Sequence, residues 1–141
     1  MNKKTLSIIG LIVALGVIGF LMKGGNEQVN VEQEIKNELV IQPQPSGAKI
    51  TIANVNVNHP IWVAIYTNIN GQPDTIIASR LFEVGTHTNQ TLELLKGATT
   101  PQGQYFGVMR SDDGNEQLDP AQDLPTKDAQ GNLIIIPFTT E

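Results

Sequence analysis

The chain has 141 residues, with 9 basic and 14 acidic side chains and a formal net charge of −5 at pH 7. It contains no Cys, which excludes a disulfide framework, a thiolate nucleophile, a zinc-thiolate site and a blue-copper thiolate. The acidic balance argues against nucleic acid and anionic lipid as partners of the polar part of the chain.

The first predicted element is a membrane-spanning helix. Residues 5–22 form an apolar run of 18 residues without a charged side chain. As a helix this run would be roughly 27 Å long, close to the ~30 Å hydrocarbon core of a bilayer. A cleaved signal peptide would have a shorter apolar region followed by a small-x-small site, whereas this run ends in FLMK. We therefore expect an uncleaved anchor over 1–23.

The charges that flank this run predict the orientation of the protein. Lys3 and Lys4 precede the run and only Lys23 follows it, so the positive-inside rule keeps the N-terminus in the cytoplasm. We expect a single-pass membrane protein with everything from Gly24 onward outside the cytoplasm. Without those three Lys residues, 6 basic side chains stand against 14 acidic ones, a net charge of about −8.

Residues 24–38 are predicted to be a spacer, because they begin with flexible Gly and continue with polar residues. Two structures suit the end of this stretch. VEQEIKNEL suits a short helix, and ELVIQPQ suits an edge strand. The apolar cluster beside Pro43 favours the strand, so we expect a folded domain over 39–141.

The domain is predicted to be an all-β, seven-stranded antiparallel sandwich of the immunoglobulin-like type. Its strand-like segments are short, are separated by Gly, Pro or Asp signals, and have no amphipathic helix between them. About 100 residues is also the usual size of such a domain. After ELVIQPQ the segments are AKITIANVNV, IWVAIYTN, DTIIASRLF, THTNQTLELL, GQYFGVMRS and NLIIIPFTT.

Three of these segments carry more specific predictions. In AKITIANVNV the Ile and Val residues have opposite parity, which predicts a bulge near Ala53 and Asn54 if all of them face the core. IWVAIYTN is apolar at nearly every position, which predicts a central strand buried on both sides, followed by a turn at NGQPD. Pro137 cannot donate to a sheet, so the last strand should lie at an edge or be bulged.

An acidic turn is the candidate metal site. Carboxylates and amides around Gly114 supply the oxygen ligands that calcium prefers, although the spacing is not that of an EF-hand. A solvated turn in which Asp and Asn cap the backbone is favoured over such a site, because Asp-Gly-Asn is ordinary turn chemistry. The candidate calcium ligands are Asp112, Asp113, Asn115, Glu116, Asp119 and Asp123.

The remaining residues of interest each have a plain alternative. His59, His87 and Met109 are the ligand types of a copper site, but we favour solvent-exposed turn positions for the two His residues, because nothing in the sequence brings the three together. Trp62, the only Trp, is predicted to be a core residue packed between the sheets, with a ligand platform as the alternative. The segment 89–91, NQT, matches the N-glycosylation pattern and should face outward.

The order of several motifs resembles an uncharacterised family of prokaryotic extracytoplasmic β-sandwich domains, known only as a domain of unknown function. The motifs are PIWVAIYTN with NGQP, IIASRLFEVGTHTNQTLEL, GQYFGVMRSDDGNEQLD and QDLPTKDAQGNLIIIPF. The resemblance implies the fold and no activity. Related sequences tend to have Met-x-His-x-Asp where this chain has Met109-Arg110-Ser111-Asp112, which weakens any metal site that relies on that His.

These observations predict a non-catalytic protein. The chain has no G-x-S-x-G elbow, no Cys nucleophile and no H-E-x-x-H helix. We expect a structural or protein-interaction module of the cell envelope, anchored in the membrane through residues 5–22, with an envelope protein as partner and no cofactor. The alternative is a metal-binding envelope protein with calcium at the acidic turn or, less favoured, copper at the His and Met positions.

Overall fold

The computed structural model describes residues 35–141, and these residues form an all-β fold of two antiparallel sheets. Each of the seven predicted segments corresponds to one strand, although three of the strands extend one or two residues beyond the segment. The strands are β1 (Glu38–Val40), β2 (Lys49–Val57), β3 (Ile61–Ile69), β4 (Gln72–Phe82), β5 (Gly85–Glu93), β6 (Gln104–Ser111) and β7 (Ile135–Thr139).

Residues 35–141 include only part of the N-terminal region for which an anchor, a spacer and a first strand are predicted. The anchor over 1–23 and most of the spacer over 24–38 lie outside the described residues. From Ile35 to Asn37 the chain has no regular structure and β1 then begins at Glu38, so the strand predicted in ELVIQPQ is confirmed. Within residues 35–141 no helix has the length and apolar character needed to cross a bilayer.

The two sheets face each other across one hydrophobic core. One sheet has the strand order β1-β2-β5 and the other has the order β4-β3-β6-β7. Ile50 and Val55 of the first sheet share a core cluster with Val63 and Met109 of the second, and all four are fully buried. Burial of this apolar surface is the main contribution that holds a Cys-free domain together.

Strands β2 and β5 change faces together at their middle. Ile50 and Ile52 are fully buried, and so are Val55 and Val57, as their opposite parity required. The register runs from Lys49↔Glu93 to Val57↔Gly85 without an inserted residue. The predicted bulge, which would add one residue to one strand, is therefore absent from this pair. Instead, no bridge joins Ala53 to Asn89, and Asn89 has a left-handed φ of 52°.

Strand β3 is the central strand of its sheet and is buried on both faces, as predicted. Its inward residues Ile61, Val63 and Ile65 are fully buried. On the outward face Ala64 and Tyr66 form a second apolar cluster with residues of the neighbouring strands. Leu118, which lies in the long loop after β6, packs against this cluster.

Turn and edge features also follow the sequence. Asn70 and Gly71 both have positive φ angles, 53° and 81°, and they join β3 to β4 as a two-residue hairpin turn of type I′. Strand β7 is an edge strand, and Pro137 is exposed within it opposite Phe106. The missing N–H of Pro137 therefore costs little, because an edge strand needs only half of its backbone groups paired within the sheet.

Candidate functional site

The acidic turn is part of a long loop that leaves β6 and returns to it. We define the acidic loop as residues 112–124. Its two ends are closed by a hydrogen bond from the Ser111 backbone N–H to Leu124 O at 3.0 Å. The Asp112 N–H donates to Pro60 O at 3.3 Å, which joins the loop to the start of β3. The loop therefore lies at one end of the four-stranded sheet.

Asp123 is the internal brace of the acidic loop. Its side chain is fully buried, and each carboxylate oxygen accepts a backbone N–H. Asp113 N–H donates to Oδ1 at 3.0 Å, and Asp119 N–H donates to Oδ2 at 2.8 Å. A buried carboxylate is costly unless its oxygens are hydrogen-bonded, and these two bonds tie the two halves of the loop together.

Arg110 holds the loop against the outward face of the sheet. Its Nε donates to the Tyr66 hydroxyl at 2.8 Å, and its guanidinium carbon lies 5.7 Å from the centre of the Tyr66 ring. One terminal nitrogen donates to Asp123 O at 2.9 Å and to Pro120 O at 3.4 Å. The planar guanidinium thus connects a strand side chain to two loop carbonyls.

Asp112 begins the turn and is joined to Trp62. The Trp62 indole N–H donates to Asp112 Oδ1 at 3.1 Å. The second oxygen of Asp112 accepts the N–H groups of Gly114 at 3.0 Å and Glu116 at 3.2 Å. Trp62 is half-buried on the outward face of β3, so the prediction of a Trp in the core between the sheets is wrong. Its parity differs from that of the inward residues Ile61 and Val63.

The other candidate ligands cap the backbone of the same loop. Asp113 accepts the Asn115 N–H, Asn115 accepts the Gln117 N–H, and Asp119 accepts the Ala121 N–H, at 3.2, 2.9 and 3.1 Å. Such i to i+2 bonds are the Asx-turns that Asp and Asn form in loops. The solvated-turn interpretation therefore accounts for most of these residues, including a left-handed Glu116 at φ 59°.

The structure brings together three of the six candidate calcium ligands. Asp112, Asp113 and Asp123 each offer a carboxylate oxygen, and these atoms lie within 4.8 Å of one another. Glu116 and Asp119 are exposed and outside that group, and Asn115 is also exposed. Asp112 and Asp123 already accept backbone or indole N–H groups, so a cation there would have to share those oxygens.

The three candidate copper ligands lie in different surroundings, and each contacts different residues. Met109 is fully buried in the core opposite Val63. His87 lies on β5, where Nε2 is 2.8 Å from Glu83 O and the ring centre is 5.2 Å from that of Phe82. His59 lies in the turn before β3.

His59 is part of a polar network that sequence spacing did not reveal. Its Nδ1 lies 2.5 Å from Asn58 Oδ1, and its Nε2 lies 3.0 Å from Ser111 Oγ, 52 positions away in the chain. The neutral tautomer with its proton on Nδ1 satisfies both contacts, since Nδ1 then donates to Asn58 Oδ1 and Nε2 accepts from the Ser111 hydroxyl. Ser111 Oγ also lies 3.1 Å from the hydroxyl of buried Thr126.

The Ser111 and His59 pair resembles part of a hydrolytic site, but the three backbone N–H groups from Ser111 to Asp113 already have acceptors. Stabilisation of an oxyanion needs N–H donors that are free to point at it. The neighbouring N–H groups of Ser111, Asp112 and Asp113 donate to Leu124 O, Pro60 O and Asp123 Oδ1. The network therefore joins the β2–β3 turn to the acidic loop and lacks oxyanion donors among these three amides.

Comparison with known families matches residues 37–139 to the family described as Domain of unknown function (DUF7282). The chain belongs to this family. The match covers all seven strands and the acidic loop, and it confirms the resemblance that the order of motifs predicted. Searches among curated proteins and among solved structures found no match. Membership in DUF7282 therefore identifies the family of the domain and assigns it no activity.

Proposed function

We propose that the chain is a single-pass membrane protein of the cell envelope, whose DUF7282 domain lies outside the cytoplasm and binds a protein partner without catalysing a reaction. The apolar run of residues 5–22 and the two Lys residues before it support the anchor and its orientation. The absence of Cys and of the common hydrolase motifs from the sequence supports binding over catalysis.

The fold is best described as a variant of the immunoglobulin-like sandwich. In the constant type of that fold, the fourth strand pairs with the three-stranded group formed by strands 1, 2 and 5. Here β4 pairs instead with β3, in the sheet that also contains β6 and β7. Such sandwiches carry binding surfaces on loops at their ends, which is where the acidic loop lies.

The single observation that carries the proposal is the internal bracing of the acidic loop. It has no regular secondary structure, yet Asp112, Asp123 and Arg110 hold its backbone at many points. Long loops that are fixed in this way are usually functional, because ordering them costs conformational entropy. A pre-organised loop loses less entropy when a partner binds.

The exposed side chains of the loop support a basic protein surface as the partner. Asp113, Glu116 and Asp119 are exposed, and Leu124 at the end of the loop is 64 % exposed. A loop that exposes both carboxylates and an apolar side chain is complementary to a basic protein surface that carries an apolar contact. We therefore assign a basic protein surface as the partner.

The placement of the domain is tested by labelling single Cys variants, because the natural chain contains no Cys. Leu95 is 71 % exposed, so Leu95→Cys should react with a membrane-impermeant maleimide on intact cells. Asn2→Cys is the control for the cytoplasmic side and should react only after the cells are permeabilised. The reverse pattern would refute the proposed orientation.

Binding is tested by photo-crosslinking from position 117, an exposed position of the same loop, in full-length protein in its native membrane. The charge of the loop is removed by Asp113→Asn, Glu116→Gln and Asp119→Asn in separate and combined variants, which keep the acceptor oxygens of the turns. Glu93→Gln, at an exposed position of β5, is the matched control. Loss of a salt-sensitive crosslink in the loop variants alone supports the proposal, and an unchanged crosslink in all variants contradicts it.

Calcium binding by Asp112, Asp113 and Asp123 stays a prediction as the second candidate function, supported by their oxygens lying within 4.8 Å of one another. In that case the ion would fix the same loop. Its affinity would be expected to be on the order of 10⁻⁴ to 10⁻³ M, as in other extracellular modules.

A further inference from the structure

Strand β5 carries the acceptor pattern for N-linked glycosylation at its most unusual backbone position. Asn89-Gln90-Thr91 is the only Asn-x-Ser/Thr segment in the chain. Asn89 lies near the middle of β5, where β2 and β5 change faces. The pattern is short, so its significance depends on whether the folded protein presents it to an enzyme.

Both recognition side chains of this segment face solvent. Asn89 and Thr91 are exposed, and the half-buried Gln90 between them donates to Thr88 O at 2.9 Å. Within residues 35–141 no side-chain hydrogen bond engages the Asn89 amide or the Thr91 hydroxyl. The acceptor amide and the hydroxyl two residues later are thus both accessible in the folded domain.

The left-handed φ of Asn89, 52°, explains this exposure. In a regular strand, neighbouring side chains point to opposite faces. Here the change of faces leaves Thr88 and Asn89 exposed in succession. Asn and Gly both tolerate a left-handed φ, so the conformation alone does not require Asn at this position.

The position of the segment also gives a glycan a physical role. β5 is an edge of the three-stranded sheet, with β2 on one side only. An exposed edge strand of nine residues is a template for pairing with another chain. A bulky polar group on Asn89 would hinder such pairing and keep neighbouring copies apart.

We propose that Asn89 is N-glycosylated by an oligosaccharyltransferase that uses a lipid-linked oligosaccharide. The Asn89 amide nitrogen forms a bond to C1 of the first sugar and loses one proton. The bond between C1 and the phosphate oxygen of the lipid donor breaks, and the lipid phosphate leaves with the bonding electron pair. This inference rests on the proposed position outside the cytoplasm, where such transfer occurs on envelope proteins.

The test is mass spectrometry of full-length protein purified from the cells that make it naturally. Trypsin releases residues 81–96 after Arg80 and Lys96, a peptide that contains the whole segment. Its mass should rise by one or more sugar residues in the wild type and in Thr91→Ser, which keeps the pattern. Asn89→Gly keeps the backbone conformation without the acceptor, and Thr91→Val keeps a strand-forming residue without the hydroxyl, so both should give the unmodified peptide.

An entirely unmodified wild-type peptide overturns the proposal, and so does a modification that persists in Thr91→Val. Labelling of Leu95→Cys on intact cells distinguishes two explanations of an unmodified peptide. An unmodified peptide from a labelled domain refutes glycosylation alone, whereas an unmodified peptide from an unlabelled domain also refutes the position outside the cytoplasm.

Discussion

Replacing Asp123 should destabilise the domain through the acidic loop. In Asp123→Ala, the N–H groups of Asp113 and Asp119 lose their acceptors. An unsatisfied buried donor costs about 1–3 kcal/mol, so two give roughly 2–6 kcal/mol. Entry of water beside these part-buried N–H groups would bring the value towards the lower end. Asp123→Asn should cost about half as much, because its amide oxygen still accepts one N–H while its amide nitrogen faces the other.

The assay is urea unfolding of residues 35–141, followed in parallel by Trp fluorescence and by far-ultraviolet circular dichroism. Trp62 is the only Trp and donates to Asp112, so its emission reports on the loop, whereas circular dichroism reports on the sheets. Asp119→Asn is the control, because Asp119 is exposed and its oxygen caps a single turn. If both Asp123 variants unfold within about 0.5 kcal/mol of the wild type, the bracing role is refuted.

Three further predictions concern packing and metal. Gly107→Ala should cost about 1–3 kcal/mol, because an added Cβ would collide with Ile41, whereas Gly47→Ala meets open space and should be near neutral in the same denaturant titration. Met109→Ala should cost about 2–5 kcal/mol by calorimetry, since its side chain is fully buried, and a change below 1 kcal/mol would contradict the core assignment. If calcium binds, a concentration ten times Kd should stabilise the domain by about 1.4 kcal/mol relative to EDTA, and Asp112→Asn should reduce this gain; no shift in melting temperature would refute the site.

The strands were predictable because their signals are local. The alternation of apolar residues, the Asn70-Gly71 turn and Pro137 each act over a few positions, and the structure follows all three. The prediction of a bulge near Ala53 was partly right, because the four flanking Ile and Val residues are buried. The change of parity, however, occurs at a left-handed Asn89 and without an added residue. A single sequence does not show that two paired strands will change, at the same position, which of their faces points to the core.

The candidate site was less predictable because its contacts are distant in sequence. Composition identified the acidic loop, but it could not indicate that Asp123 is buried inside it while Asp113 and Asp119 stay exposed. The contacts of Trp62 with Asp112 and of His59 with Ser111 join residues 50 and 52 positions apart. Only the pairing of β3 with β6 brings them together, and no spacing rule covers that distance.

The pairing of β4 with β3 affects the order in which the strands assemble during folding. Asn70 and Gly71 let β3 and β4 pair through a two-residue connection, which closes in microseconds and needs almost no loop entropy. The pairing of β3 with β6 must instead enclose about 40 intervening residues, and β2 with β5 about 30. We expect the β3–β4 hairpin to form first and to serve as the template on which β6 adds. The arrival of β6 would then be the slow step that assembles Trp62, His59 and the acidic loop at the same time.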